Sequence, residues 1–486
     1  MLDSPLLPRL ATSAASAYIG GSWFAVPGPR DLHVTNPADG RLLAELPMLG
    51  ADEAERAIEA AAASAEQPSE DDRRAWLEGI AAGLTENRRE LGRIISLENG
   101  KPWKEAEAEV DYAASFFRYA ASHLERLRSH QLRERPRGHG WVVHYRPVGV
   151  AALIVPWNFP LAMTAKKLSA ALAAGAPSVL KPATLTPLSS IALLEIIDSL
   201  GLPGGMVNLI VGDSRSIGRV FCEHPAVRSI SFTGSTEVGR LLLRQAAPHI
   251  KRLTLELGGN APFIVCGDAD LDSAVEHLIQ NKFRCAGQTC VCANRVYVDS
   301  AVASAFTDRL VRRVAKLNVG DGLQPETDLG PLINRAGFEK VRGHVEDALQ
   351  RGARCEAGEL PPEPTEEWGL FFPPTVLSGV PHDARCVAEE TFGPLIPLIE
   401  FGSESQVLEW ANGTEFGLAA YLFTADAERA RRMIGRLHFG HAGYNSGTGP
   451  TAEAPFGGWK ASGFGREGGR EGLMEFVEPQ TVPSST

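Results

Sequence analysis

Cys290, in the run FRCAGQTCVCANR, follows a Gly-Gln turn. It reads as a thiol on a loop entering a helix, where the local dipole lowers a thiol pKa and readies it as a nucleophile. A buried structural thiol and half of a metal site remain open readings. Cys285 and Cys292 lie close by, yet no second cysteine or histidine pair stands at zinc spacing, so no metal is expected. His438 and His441, in HFGHAG, read as polar helix-end residues. Glu256, in LTLELGGN, closes an apolar run just before two glycines. Burial at such a strand end raises a carboxyl pKa towards that of a general base, and a salt-bridged strand-end glutamate is the alternative.

Asn158 stands in VPWNFP between Pro156 and Pro160. The prolines stiffen the loop and remove two backbone donors, which leaves the amide side chain as a directed donor for an oxyanion, or as an ordinary turn residue. FTGSTEVG places Gly234 and Gly239 at a strand-to-helix junction, a suitable anion site without the dinucleotide fingerprint G-x-G-x-x-G. Lys181, in VLKPA, ends another apolar run and reads as a ribose or phosphate contact or as a solvated lysine.

The elements that must position these groups follow from periodicity. Residues 51–127 carry apolar side chains at three- and four-residue spacing and read as helices. Residues 132–145, with Pro136, Gly138 and Gly140 ahead of alternating WVVHY, read as a hairpin whose edge another subunit covers. From GVAALIVPW onward strands and helices alternate: KKLSAALAAG is a short helix stopped by Gly175, and PSVLKP is a strand. TPLSSIALLEIIDSLG is a helix with Thr186 as its cap and Pro187 in its first turn. VNLIVG, RSISFTG and RLTLELGG continue the strands, and FIVCGDADL, RVYVDS and LAAYLFTA open a second set. This alternation predicts an α/β chain with a doubly wound parallel sheet and a second α/β domain. The Pro/Glu-rich residues 359–369 read as a surface loop.

Composition sets the outer limits. The chain has 486 residues, with 48 Lys and Arg against 59 Asp and Glu, a formal charge of −11 that disfavours nucleic acid or an anionic membrane as the main partner. The N-terminal run has prolines and Asp3 where a secretory segment needs apolar residues, and Val148 to Val155 is far shorter than the ~20 residues of a spanning helix. Seven cysteines in such a chain fit reduced thiols, so the expectation is a soluble cytoplasmic protein.

Taken in order, YIGGSW, PWNFP, LKPA, FTGSTEVG, LELGGN, GQTC, EETFGPL and PFGGWKASGFGREGG closely resemble the aldehyde dehydrogenase superfamily along nearly the whole chain. The resemblance implies that the Cys290 thiolate attacks an aldehyde carbon. The oxyanion is then held by the Asn158 amide and the Cys290 N–H, a hydride passes to a nicotinamide, and Glu256 activates the water that releases the acid. It implies that Pro156, Trp157, Phe232, Gly234, Ser235, Val238 and Leu257, together with Lys181, Thr184 and Gly212, hold the dinucleotide, with Glu390 and Phe392 at the nicotinamide ribose. Thr184 stands where relatives that prefer NAD often carry Glu, and with Lys181 left unpaired the cofactor is expected to be NADP or NAD, with NADP tolerated and the preference between the two left open.

Within the superfamily the sequence is most similar to succinate-semialdehyde dehydrogenases. That likeness implies substrate contacts from Arg284, Lys166 and Thr451, and a redox switch at Cys292 through a disulfide with Cys290. Lys166 and Pro450 depart from the subgroup's usual arginine and serine, so the aldehyde is expected to be an anionic semialdehyde of open length and acid group. Sulfo-, phosphono-, amino- or neutral aldehydes are the alternatives. Residues 1–127 and 148–258 are expected to form a dinucleotide-binding domain and 259–458 a catalytic domain. Residues 128–147 and 459–486 are expected to form a small β oligomerisation hairpin in a homodimer or homotetramer. A non-catalytic relative would be expected to lose the nucleophile or base, and an esterase would not need the cofactor motifs.

Overall fold

A computed structural model describes residues 2–12, 14–26, 29–64, 67–134, 138–363 and 369–485. Pro136 of the expected hairpin and residues 364–368 of the Pro/Glu-rich segment lie outside the described residues.

The apolar runs after residue 148 are too short for helices and rich in Val, Ile and Leu, and they form the first sheet. Its parallel centre runs in the order Val207–Ile210, Ser178–Lys181, Val150–Ile154, Val227–Thr233, Arg252–Glu256. Antiparallel strands Ala17–Ile19 and Ser22–Phe24 extend one edge, and Gly463–Phe464 closes the other. Alternation along one strand buries both faces. Ala151 and Leu153 pack among helices Glu70–Glu86, Trp103–Ser122, Pro160–Ala174 and Leu188–Ser199. Val150 and Ala152 pack against Ala51–Ala63, Ser214–Glu223 and Thr236–Ala246. This is the doubly wound arrangement that the alternating pattern predicts.

A second sheet has the order Arg354–Ala357, Thr375–Ser378, Leu395–Phe401, Ala293–Asp299, Ala261–Val265, Ala419–Phe423, His441–Tyr444, parallel except at its first strand. Ile264 and Leu422 lie in one core and Phe263, Val265 and Phe423 in the other, so this sheet too is covered on both sides. In a third, small sheet Gly140–Pro147 lies between His130–Gln131 and the C-terminal strand Val477–Ser484. The C-terminal strand runs antiparallel from Val477 opposite Pro147 to Ser484 opposite Gly140. Among the described residues no helix is long and apolar enough to cross a membrane.

Two local expectations are corrected. The helix expected to be short spans Pro160–Ala174, with Pro160 in its first turn, where the missing N–H costs nothing, and left-handed Gly175 at its end. Thr186 does not cap the next helix. The Glu98 carboxylate accepts from Leu188 N (2.6 Å) and Ser189 N (2.9 Å) instead, and the Thr186 hydroxyl donates to the Trp157 carbonyl at 3.1 Å. A distant carboxylate has taken the free amides, and nothing near Thr186 in the sequence could signal it.

Candidate active site

The parallel strand order of the first sheet reverses between Val150–Ile154 and Val227–Thr233, which opens a crevice at their carboxyl ends. Residues 156–159 leave one of these ends and Gly234 and Ser235 the other, while Glu256 ends the neighbouring strand. The second sheet meets the crevice with the opposite, N-terminal ends of its strands. Residues 288–291 precede Ala293–Asp299, and 390–392 precede Leu395–Phe401. Together they enclose a cavity of about 400 Å³ whose lining includes Pro156, Trp157, Asn158, Lys166, Gly234, Ser235, Glu256, Leu257, Arg284, Cys290, Glu390 and Phe392.

Cys290 does not enter a helix, and its thiol is not depressed. After helix Leu271–Lys282 the chain turns through Cys285, Ala286 and Gly287, all left-handed, at φ 52, 53 and 77°. It then passes Cys290 into the strand Ala293–Asp299. A Cβ on Gly287 would lie 2.2 Å from the Gly393 carbonyl oxygen, so this turn needs glycine there. Without a helix N-terminus to offset it, burial pushes the Cys290 thiol up to about 12, with Lys166 pulling it down and Glu390, Glu256 and Cys292 pushing it further up. The loop is held by Gln288, which donates to the Cys285 carbonyl (3.0 Å) and accepts from Ile333 N (2.9 Å), and by the Tyr421 hydroxyl donating to the Val291 carbonyl (2.7 Å).

Asn158 is buried, and its Nδ2 donates to the Gln288 carbonyl at 2.8 Å. An amide carries two N–H donors, so the second remains for the cavity beside Cys290. Glu256 is buried with both carboxylate oxygens free of hydrogen-bond partners among the described residues. Burial first, and the Glu467 charge second, hold its pKa well above the ordinary carboxyl range, against the pull of Lys166, Lys167 and Arg466. Those are the properties of a general base kept from solvent.

Glu467 itself was missed in the sequence. Its carboxylate takes Lys167 Nζ at 2.5 Å and Lys166 Nζ at 3.3 Å, and it lines the cavity. Burial opposes its ionisation, but the two lysines outweigh burial and keep its pKa below the usual value. Only GFGREGG, far from either lysine, carries it, and a charged residue in a Gly-rich tail gives no local sign of burial. Lys166 lies 5.0 Å from the Phe456 ring centre and 5.6 Å from that of Phe116. Burial acts against its ammonium, and Tyr112, Glu467, Glu256 and Cys290 together raise its pKa.

On the opposite side Ser235 caps helix Thr236–Ala246 by accepting from Val238 N at 3.3 Å, and the helix begins at the cavity. Glu390 Oε1 accepts from Gly259 N at 3.0 Å. Its other oxygen has no hydrogen-bond partner among the described residues and lies 3.0 Å from where a Cβ on Gly258 would stand. Burial lifts this carboxyl to about 7. The Phe392 ring, on a left-handed backbone (φ 58°), stands edge-on to Trp157 at 5.6 Å. A helix N-terminus for phosphate, a free carboxylate oxygen for a diol and two flat walls fit a dinucleotide.

Lys181, Thr184, Gly212, Phe232 and Val238 do not line this cavity. Lys181 is in register with Ile154 on the adjacent strand, and Gly212 follows the next strand over, so they continue the same sheet edge outward. Lys181 is not wholly unpaired, since its Nζ donates to the Pro182 carbonyl at 3.2 Å. Burial lowers its pKa to about 8, against the pull of Asp213.

Arg284 is exposed on the cavity wall, 4.8 Å above the Phe159 ring, and forms no ion pair among the described residues. Thr451 is exposed and outside the lining, and Pro450 forms that part of the wall. Cys292 is buried outside the lining. Its thiol donates to the Gly287 carbonyl at 3.2 Å and receives Lys282 Nζ at 3.6 Å. Among the described residues no group of His, Cys, Asp and Glu is placed to hold a metal ion.

A partly buried thiol, a desolvated carboxylate and a free amide donor around one cavity, beside a groove that fits a dinucleotide, are groups that suit an oxidoreductase working through a cysteine. Residues 23–482 match the aldehyde dehydrogenase family. The chain is 44% identical to the NADP(+) succinate-semialdehyde dehydrogenase of Escherichia coli strain K12, over 95% of this chain and 96% of that one. It is also 44% identical to a glutarate-semialdehyde dehydrogenase of Pseudomonas putida, over 95% and 96% of the two chains. A crystal structure of an oxidoreductase from Marinobacter aquaeolei superposes with a TM-score of 0.96 at 56% identity, covering 100% of both chains. The chain therefore belongs to the aldehyde dehydrogenase family, and it is an enzyme that oxidises aldehydes.

Proposed function

We propose that this enzyme oxidises an aldehyde bearing a remote acid group, of the succinate- or glutarate-semialdehyde kind, to the corresponding acid with NADP or NAD. The observation that carries the substrate class is the contrast between the cavity's cations. Lys166 is ion-paired with Glu467, whereas Arg284 presents a guanidinium with no ion pair among the described residues, the fork that suits a carboxylate. The names of the two semialdehyde dehydrogenases support the same class.

In this reading the Cys290 thiol loses its proton to solvent, the thiolate attacks the aldehyde carbon as the C=O pair moves to oxygen, and the oxyanion takes the free N–H of Asn158 and the Cys290 main-chain N–H. When bound, a nicotinamide dinucleotide supplies the acceptor for the hydride that leaves that carbon. Ser235 and Gly234 would hold its pyrophosphate and Glu390 a ribose. The product of that step is a thioester on Cys290. Glu256 then takes a proton from water, the water oxygen attacks the thioester carbon, and the acid leaves as the thiol returns. The absence of a carboxylate at Thr184 and the NADP(+) of the Escherichia coli relative support NADP as an accepted cofactor.

The first sheet with its helices serves as the dinucleotide-binding domain (1–127 and 148–258) and 259–458 as the catalytic domain. The small sheet joins copies in a cytoplasmic homodimer or homotetramer. Steady-state rates of nicotinamide reduction across carboxylate, sulfonate, phosphonate, amino and neutral aldehydes test the substrate class. Succinate or glutarate semialdehyde should lead by kcat/KM, and Arg284→Ala should cost about 2–3 kcal/mol of that preference. Equal rates for neutral aldehydes with an indifferent Arg284→Ala would sink it.

A further inference from the structure

Residues 98–109, ENGKPWKEAEAE, line no part of the cavity, yet they hold the two loops that form it. Helix Arg88–Asn99 ends at left-handed Gly100, φ 87°, which reverses the chain and aims its neighbours back at the site. Asn99 Nδ2 donates to the Trp157 carbonyl at 3.0 Å, and Lys101 Nζ donates to the Asn158 carbonyl at 2.7 Å. On the following helix, Trp103–Ser122, Glu105 and Glu109 stand one turn apart. Glu105 accepts from Cys285 N at 2.8 Å, at the start of the left-handed turn that carries Cys290. Glu109 accepts from Leu161 N (3.0 Å) and Ala162 N (3.1 Å) and pairs with Lys101 at 2.5 Å. The Cys285 thiol also points at the Asn158 carbonyl, at 3.6 Å. That carbonyl is therefore a knot between three segments: 98–109, the Asn158 loop and the Cys290 loop.

The Lys101 and Glu109 side chains are fully buried, 0% exposed each. A buried ion pair adds little stability over an apolar pair of the same volume. Here Lys101 also donates to the Asn158 carbonyl, and Glu109 accepts from the first-turn amides of helix Pro160–Ala174 that follows it, which links the pair to the site. We infer that Lys101, backed by Glu109, is a positioning residue: by fixing the Asn158 peptide it aims the side-chain amide of Asn158 at the oxyanion formed on Cys290. This rests on the oxyanion role proposed for Asn158. The lysine touches neither substrate nor cofactor, so it acts through Asn158 or not at all.

The test is a double-mutant cycle on the full-length enzyme, assayed with succinate semialdehyde and NADP. Lys101→Met combined with Glu109→Gln removes both charges and leaves no buried ion unmatched. That pair should lower kcat about tenfold to a hundredfold, the cost of a small misplacement. The aldehyde KM and dinucleotide Kd should stay within about twofold, and iodoacetamide should alkylate Cys290 at the wild-type rate. In an Asn158→Ala background the same pair should change kcat no further. A loss that multiplies in both backgrounds, or one carried by KM, overturns the inference. If Asn158→Ala alone leaves kcat unchanged, the oxyanion reading is what fails, and the inference falls with it. Lys101→Arg keeps a cationic donor, and with it the folding-sensitive charge balance. It should recover most of kcat, and an Arg variant as slow as the neutral pair also overturns the inference.

Discussion

The two large sheets meet the cavity with opposite ends, and that difference divides the labour between them. The first offers the carboxyl ends of its strands, where the helix beginning at Thr236 turns its free amides to the crevice and glycine turns leave room for a ligand. The second offers strand N-termini, reached through loops, and no helix starts at Cys290. An anion can therefore be bound on one side by the backbone alone. On the other side the thiol is left high, near 12, and must be helped by side-chain charge. The Lys166–Glu467–Lys167 cluster supplies that charge, with Glu256 raised beside it. A thiolate formed in this cavity faces Lys166 and Glu467 on its wall, and Lys167, buried outside the lining, offsets the Glu467 charge.

Glu256→Gln should have the largest effect, because it removes the proposed base while leaving its shape. Turnover should fall by a factor of about 10² to 10⁴, with a burst of reduced nicotinamide near one per active site before the slow phase. The pH response separates the roles. The base form is the ionised one, and burial raises the pKa, so wild-type thioester hydrolysis should climb as pH rises through a value above the ordinary carboxyl range. The variant should lack that limb. A rapid-quench burst that is absent, or a pH limb that survives, would move the base elsewhere.

Lys166→Met comes next and sharpens the contrast between the two sides. Lys166 is the charge that most lowers the Cys290 thiol, so without it alkylation by iodoacetamide at neutral pH should slow by about tenfold, the equivalent of one pKa unit. If the lysine grips the substrate acid instead, alkylation will hold steady and the semialdehyde KM will rise.

How legible this was depended on which side a residue serves. The first sheet could be read almost strand by strand, because short apolar runs between helical periods have one efficient burial, and Gly234, Ser235 and Glu256 fall at strand ends that the pattern marks. The thiol's surroundings could not. Cys285 and Ala286 adopt left-handed backbone that favours glycine, held by Glu105 from far earlier in the chain, and the turn sends Cys290 into a strand. Family likeness singled out Cys290, Asn158 and Glu256, and the fold brings the three to one cavity. The likeness was silent on Glu467 and on residues 98–109, whose glutamates read as one more helical face. Contacts between charged residues hundreds of positions apart leave no period to detect.

On the dinucleotide side Thr184→Glu should move the preference from NADP towards NAD by about tenfold, since a carboxylate near Lys181 can accept ribose hydroxyls and repels a 2′-phosphate. Paired kcat/KM values for the two cofactors decide this, and an unchanged ratio would detach Lys181 and Thr184 from cofactor choice.

The smallest effect tests whether the first sheet's side works through its backbone. Ser235 closes helix Thr236–Ala246 through one bond to Val238 N, and Ser235→Ala should cost about 1 kcal/mol of helix-start stability. The helix amides remain, so the anion site should be loosened and not lost. Titration of the dinucleotide by quenching of protein fluorescence should show Kd raised about threefold to fivefold, with the single-turnover rate at saturating dinucleotide unchanged. Alkylation of Cys290 should be untouched, in contrast to Lys166→Met. A Ser235→Ala enzyme slowed in the chemical step at saturation would mean that the two sides are coupled, and the division of labour would have to be redrawn.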